Sequence, residues 1–318
     1  MANVLRESAS SGKMVTLAEE IRRSPRVRSL LSGLDRFERS GAITSVYQKW
    51  QGAHWVLSAL ADLGYPEGDR KLVPIRDRIL GCWLAPVYFR EFEAKAKPDA
   101  YKGEGVPFMR GRYRRCASQQ GNALYFLAKL GLEDGRLETL VERLLHWQWP
   151  DGGWNCDKDP RADSSSFMES CLPMLGLHLY ARSHKDRAAA RAAERAREVF
   201  LNRHLFRRVA DGSIIHPEFV VLHYPLYWHY DILGGLKAMV AVGGIGDPRC
   251  SAALDLLERK RLTDGGWPAE RRYYRVDAAT VNPHADYVDW GGTSSRRMNE
   301  WVTADALSVL AASGRLEE

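Results

Sequence analysis

The segment Gln148-Trp149-Pro150-Asp151-Gly152-Gly153-Trp154 narrows the choice of fold more than any other feature, because the chain repeats it. A second copy reads Arg261-Leu262-Thr263-Asp264-Gly265-Gly266-Trp267. A worn copy between them, Arg208-Val209-Ala210-Asp211-Gly212-Ser213-Ile214, keeps the Asp-Gly turn and loses the aromatic. Glycine turns near Gly41 and Gly103 extend the series, so that Gly41, Gly103, Gly152, Gly212 and Gly265 follow at intervals of 62, 49, 60 and 53 residues. Self-similarity at a period of tens of residues marks a chain assembled by stacking one supersecondary unit.

A helical segment follows each turn: residues 46–63, 117–130, 165–180, 227–242 and 299–312. In the third, Met168, Leu172, Leu175 and Leu179 recur at spacings of four, three and four, which draws one apolar stripe along a helix. The segments that precede the turns, such as 136–147, 186–203 and 248–261, are arginine-rich on one side and alanine- or leucine-rich on the other, the pattern of an outer amphipathic layer. No run alternates with period two beyond a few residues, so helices must bury helices and the fold class is all-α. The stretch 269–297 interrupts the pattern and reads as a long loop.

A content of 45% hydrophobic residues is enough for a substantial core. No stretch has the roughly 18–20 apolar residues of a membrane span, and Met1 to Lys13 lacks the layout of a secretory signal. The expectation is a cytoplasmic protein without a transmembrane segment, for which peripheral membrane contact stays open. Cys82, Cys116, Cys156, Cys171 and Cys250 are odd in number and contain no C-x-x-C pair, so reduced thiols are expected. The net charge of +6 is mild, and the arginine clusters accompany no nucleic-acid module, so no nucleic-acid partner is expected.

Gln148, Gly152 and Trp154 fit every fixed position of the Q-x-x-x-G-x-W pattern, and Gly265 and Trp267 fit it with Arg261 in place of glutamine. On these residues the chain resembles the terpene cyclases of squalene–hopene type and the protein prenyltransferases. The resemblance implies an α/α toroid, a double-layered barrel of helical hairpins whose inner helices end on a central cavity. It covers residues 46–318, with residues 1–45 as a helical lead-in. It also implies that the glutamine and tryptophan tie neighbouring hairpins together, so the motif names a fold and leaves the reaction to other residues.

The Asp-x-Asp-Asp-Thr-Ala acid sequence of the cyclases does not occur here, and alignment through Leu175-Gly176-Leu177 places Glu169 at the acid's position. A lone carboxyl buried among apolar groups is a weak acid, which suits a general base or a hydrogen-bonding residue better than an alkene-protonating acid. The prenyltransferases hold zinc through aspartate, cysteine and histidine, which directs attention here to Cys156, Asp157 and His229, with Asp163 as an alternative to Asp157. Zinc or magnesium is the cofactor class open to the chain.

Polar and aromatic residues gather at the starts of the inner segments. They are Lys49, Trp50 and His54 in the first, Gln119, Gln120 and Asn122 in the second, and Ser166 and Glu169 in the third. The fourth gives Tyr227, Trp228, His229, Tyr230 and Asp231, and the fifth Asn299, Glu300 and Trp301. The catalytic candidates are Glu169, His229, Tyr230 and Asp231. The binding candidates are Lys49, Trp50, His54, Gln119, Asn122, Tyr227, Trp228, Glu300 and Trp301. Aromatic faces stabilise cations, and a His–Asp pair serves acid–base chemistry. The expected substrate is an isoprenoid, a polyprenyl chain or its diphosphate, with Lys49, Arg110 and Arg112 as diphosphate partners. Three alternatives stay open: a zinc-dependent prenyltransferase-like enzyme, a toroid lyase or hydrolase on an acidic saccharide, and a non-catalytic toroid that binds a lipid or a protein partner.

Overall fold

A computed structural model describes residues 12–316, about half of the chain being helical, with eleven α-helices among them. None of these helices is long and apolar enough to cross a membrane. The chain divides into two compact units, Met1–Pro66 with Phe200–Glu318, and Glu67–Val199.

The first unit holds α1 (Gly12–Arg23), α2 (Pro25–Arg39) and α3 (Ala53–Leu63), and then α9 (Ile232–Ala241), α10 (Ser251–Arg259) and α11 (Glu300–Ala312). Its core is built from Val27, Leu30, Leu34, Trp55, Leu60, Leu236, Leu257 and Trp267. The second unit holds α4 (Val73–Trp83), α5 (Ala117–Lys129), α6 (Arg136–Trp147), α7 (Phe167–His184) and most of α8 (Arg187–Leu201). Leu124, Leu127, Leu140, Leu144, Trp147, Trp154 and Leu177 form the core there.

Both strong copies of the repeat fold into the same turn. In one, Trp149 N donates to Gly153 O and Gly152 N to Trp149 O; in the other, Leu262 N donates to Gly266 O and Gly265 N to Leu262 O. The indole of Trp154 reaches back to Leu144 O at 2.9 Å, and that of Trp267 to Leu257 O at 2.7 Å. Each tryptophan N–H then donates to a hydroxyl on the following helix, Ser170 in one copy and Thr303 in the other, both at 2.9 Å. Gln148 Nε2 donates to Gly152 O at 2.6 Å and to Ala192 O of α8 at 2.8 Å, so it joins its own turn to the next outer helix. Gly152 has φ +107° and would push a Cβ to 2.5 Å from Arg195 O, so the turn needs glycine for both conformation and space.

The weaker members of the series are different structures. Gly41 ends α2, Gly103 packs against the Phe92 ring, and around Gly212 the bond runs from Arg208 N to Ser213 O. Without the tryptophan there is no indole to reach the preceding helix, and the shared Asp-Gly spells only a tight turn.

α5 and α7 pack in backbone contact. A Cβ on Gly121 would lie 2.4 Å from Pro173 N, and one on Gly176 would lie 2.7 Å from Gly121 O. This corrects the expected face of α7. Met168, Leu172, Leu175 and Leu179 are only half-buried, whereas Phe167, Ser170, Pro173, Met174, Gly176 and Leu177 are buried. The small residues win because they allow the closest approach, and that places more atoms in contact than the larger stripe can.

Short strands appear where none was expected. β1 (Glu91–Glu93) pairs parallel with β2 (Val106–Met109), in register Glu91 to Val106, and β2 pairs antiparallel with β3 (Arg112–Tyr113). In the other unit β4 (Arg275–Val276) pairs with β5 (Ala285–Asp286). Strands of two to four residues are too short to show period-two patterning. The stretch 269–297 is more than a surface loop, since Ala285, Asp286, Tyr287, Val288 and Trp290 are all buried.

Replacing Gln148 with alanine leaves the carbonyl oxygens of Gly152 and Ala192 without this donor. We expect it to destabilise the protein by about 1–3 kcal/mol. Arg261→Ala removes an exposed bond to Gly265 O and should stay within about 0.5 kcal/mol. Denaturant melts of the two variants check the asymmetry, and equal losses would show that the glutamine tie carries no special share.

Candidate functional site

Lys49 and Trp50 lie in the turn before α3, and Tyr227 to Tyr230 in the turns before α9, so these candidates precede their helices instead of lining the first turns. The 269–297 stretch anchors them. Trp50 Nε1 donates to Tyr273 O at 2.9 Å and Trp50 N to Ala285 O at 3.2 Å. The Tyr227 hydroxyl donates to Asp286, which also accepts from Trp290 Nε1 at 2.9 Å.

These anchors assemble an aromatic cluster. Trp50 and Tyr227 stack at 3.7 Å between centroids and 8° between planes, and the edge of Trp55 closes on Tyr227 at 5.6 Å. Trp228, His229, Tyr273 and His223 form a continuous stack, with centroid separations of 3.9, 3.5 and 4.4 Å. The ammonium of Lys49 lies 5.4 Å from the Trp50 ring and 5.2 Å from the Trp228 ring. Trp50 is buried, but Lys49, Tyr227, Trp228, His229 and Tyr273 keep partial exposure.

Within the cluster His229 is the group equipped for proton transfer. Its Nδ1 lies 3.1 Å from Leu226 O. A carbonyl only accepts, so Nδ1 carries the proton and Nε2 presents a lone pair. Burial pushes its pKa down to about 4, aided by the charge of Lys49 and against the hydrogen bond to Leu226. His229 is therefore a neutral base at pH 7. Its neighbours have other tasks. The Tyr230 hydroxyl is buried and donates to Leu205 O at 2.8 Å, and the carboxylate of Asp231 caps α9 through Gly234 N and also accepts from His223 N, both at 2.8 Å. His54 is wholly buried, with its pKa pushed down by desolvation to about 3, a core histidine in contact with Tyr47 and Trp55. Glu300 pairs with Arg26 on the surface, and Trp301 stacks on Tyr224 at 5.4 Å.

The remaining candidates, Gln119, Asn122, Cys156, Asp157 and Glu169, belong to the second unit. Glu169 sits in the first turn of α7, 8% exposed; Ser118 N donates to its Oε2 at 3.0 Å and Cys156 Sγ to its Oε1 at 3.2 Å. Burial raises the Glu169 carboxyl above the usual carboxylate range, against those bonds and the charge of Arg115. Cys116 occupies the N-cap position of α5, and its thiol is shifted down chiefly by its hydrogen-bonding contact with Cys156. Cys156 is shifted up by the same contact. Gln119 accepts from Arg115 at 3.0 Å, and Asn122 is buried in α5. Asp157 instead accepts from Asp159 N at 2.9 Å.

Of the set Cys156, Asp157 and His229, the histidine belongs to the other unit; among the described residues, Cys116, Cys156 and Glu169 have converging ligand atoms. Arg115 and Cys116 were missed because the sequence places them just before the helix, although their position at the start of α5 was a usable signal. Tyr273 and Asp286 had no such signal, since the aperiodic stretch that carries them gives no hint of which residues turn inward. No family model, curated protein or solved structure matches this chain.

Both His54 and His229 have folded pKa values below the ordinary one, so the unfolded chain binds more protons as pH falls from about 6.5 towards 4. Their contribution to stability is complete above the unfolded value and declines through that window. We expect denaturant stability to fall between pH 7 and pH 4, and to fall less steeply in His54→Leu, by at most about 1.4 kcal/mol per pH unit. Identical slopes for the two proteins would remove His54 from the acid response.

Proposed function

We propose that this chain is a terpene-cyclase-like enzyme that takes a prenyl diphosphate at the aromatic cluster of Trp50, Tyr227, Trp228 and Tyr273, with His229 as the base. One observation carries the reading: a neutral imidazole with an available Nε2 stands in a stack of aromatic faces beside a single lysine. Aromatic faces suit an apolar, alkene-rich chain and stabilise the positive charge that develops on it. Lys49 supplies the opposite requirement, a cation for the diphosphate. In the cyclisation the carbon–oxygen bond to the diphosphate breaks, the diphosphate leaves with the electron pair, and an alkene closes on the cation. His229 Nε2 then takes the proton whose loss restores a double bond. A carbocation is so strong an acid that a base with a pKa of about 4 suffices.

The repeated turn supports the architecture that goes with this chemistry. Two copies with matching indole, hydroxyl and turn bonds are what the hairpins of an α/α toroid require, and we extend the proposal to that fold.

Titration of tryptophan fluorescence with geranyl, farnesyl and geranylgeranyl diphosphates tests the binding step, and mass spectrometry of the products, with and without magnesium, tests the reaction. We expect saturable binding that weakens roughly threefold to tenfold in Trp228→Ala or Tyr273→Ala. Lys49→Met should weaken binding of the diphosphate while leaving farnesol unchanged, and His229→Gln should keep binding and lose turnover. Absence of binding, with every substrate returned unchanged, would overturn the reading.

A further inference from the structure

The second unit carries a group of side chains that the aromatic site does not use. Cys116 Sγ, Cys156 Sγ and a Glu169 carboxylate oxygen all lie within 4.8 Å of one another. Three separate chain segments bring them together: the loop into α5, the loop after the Gln148–Trp154 turn, and the first turn of α7. A bridge between Arg114 and Asn155 fixes the first two side by side, and the bond from Trp154 N to Ser170 fixes the third. The convergence is therefore built by the same ties that hold the hairpins.

We infer that Cys116, Cys156 and Glu169 are a zinc site with three protein ligands and a fourth position left for water or another exogenous donor. Zinc bonds of about 2.3 Å to sulfur and about 2.1 Å to oxygen give ligand-to-ligand edges of roughly 3.5–3.8 Å. The Cys156 Sγ to Glu169 Oε1 distance of 3.2 Å and the 4.8 Å limit on the group bracket these edges, so small side-chain shifts complete a tetrahedral face. Two thiolates with one carboxylate are a donor set that selects zinc over magnesium.

Charge balance points the same way. Arg115 is 8% exposed, and its hydrogen bonds go to the neutral amides of Gln120, at 3.1 Å, and Gln119, at 3.0 Å. A buried guanidinium held by amides needs a negative charge nearby. Two thiolates and a carboxylate around a divalent zinc leave one net negative charge, which matches the single positive charge of Arg115. Gln119 and Gln120 thus position Arg115, and Ser118 N holds Glu169 Oε2 through its hydrogen bond and so orients the carboxylate. Three protein ligands with an exchangeable fourth is the arrangement of zinc sites that do chemistry, as opposed to closed structural ones.

Metal analysis of the full chain, purified under reducing conditions without chelators, should find one zinc per chain. Cobalt(II) added to the metal-stripped protein should give the near-ultraviolet charge-transfer absorption of thiolate ligands. Cys116→Ser, Cys156→Ser and Glu169→Gln should each weaken zinc binding by about tenfold or more. Cys82→Ser, a thiol outside the group, should leave it unchanged. The wild-type metal content and cobalt spectrum decide the question even if a variant fails to fold. Reduced thiols with neither zinc nor a cobalt charge-transfer band would overturn the site, as would a Cys116–Cys156 disulfide in the purified chain that, once reduced, binds no metal.

Discussion

The indole N–H of Trp154 is the bond on which the second unit turns. It spans from the repeat turn to the carbonyl of Leu144, in the last turn of the preceding helix, while the backbone N–H of the same residue takes the hydroxyl of Ser170 on the next. One residue thus fixes where α6 ends and where α7 begins, and both bonds are buried, so neither is exchanged for water. Trp267 repeats the arrangement between α10 and α11 in the other unit. Everything placed at the start of α7 or α11 inherits its position from these ties, including Glu169 and the Asn299 cap. Gln148 adds a second level by joining the turn to α8.

Each unit also buries charge, and the two solutions differ. Asp286 is held by the Tyr227 hydroxyl, the Trp290 indole and Val288 N, donors that keep a desolvated carboxyl satisfied without a cation. Burial nonetheless raises it above the usual carboxylate range. Arg115 is the converse, a buried cation held by the amide oxygens of Gln119 and Gln120, with the Glu169 carboxyl nearby. Buried polar networks of this kind specify geometry because a displaced partner leaves an unsatisfied group behind. The first network orients the aromatic stack, and the second lies beside Cys116, Cys156 and Glu169.

The polar candidates therefore separate by task. Asp231, Tyr230 and Asn299 are spent on backbone groups, where they cap a helix or secure a loop. Lys49 and His229 face aromatic rings and keep partial exposure to solvent. Residue type alone does not distinguish these roles, because an aspartate at a helix start suits a cap and a catalyst equally well.

The sequence by itself determined the helical segments, the two strong copies of the turn and the clustering of aromatics around 227–230. These are largely local matters, set by apolar periodicity and by a turn whose glycines and whose tryptophan indole act within about ten residues. Tertiary structure decided which face of α7 is buried, because close approach through Gly121, Pro173 and Gly176 outweighs the visible Met168–Leu179 stripe. It decided too that 269–297 supplies Asp286 and Trp290 to the interior, and that Cys156 meets Cys116 and Glu169. Such contacts join residues far apart in the chain, and no spacing along a single sequence records them. They follow from how the tied hairpins bring separate loops to one place.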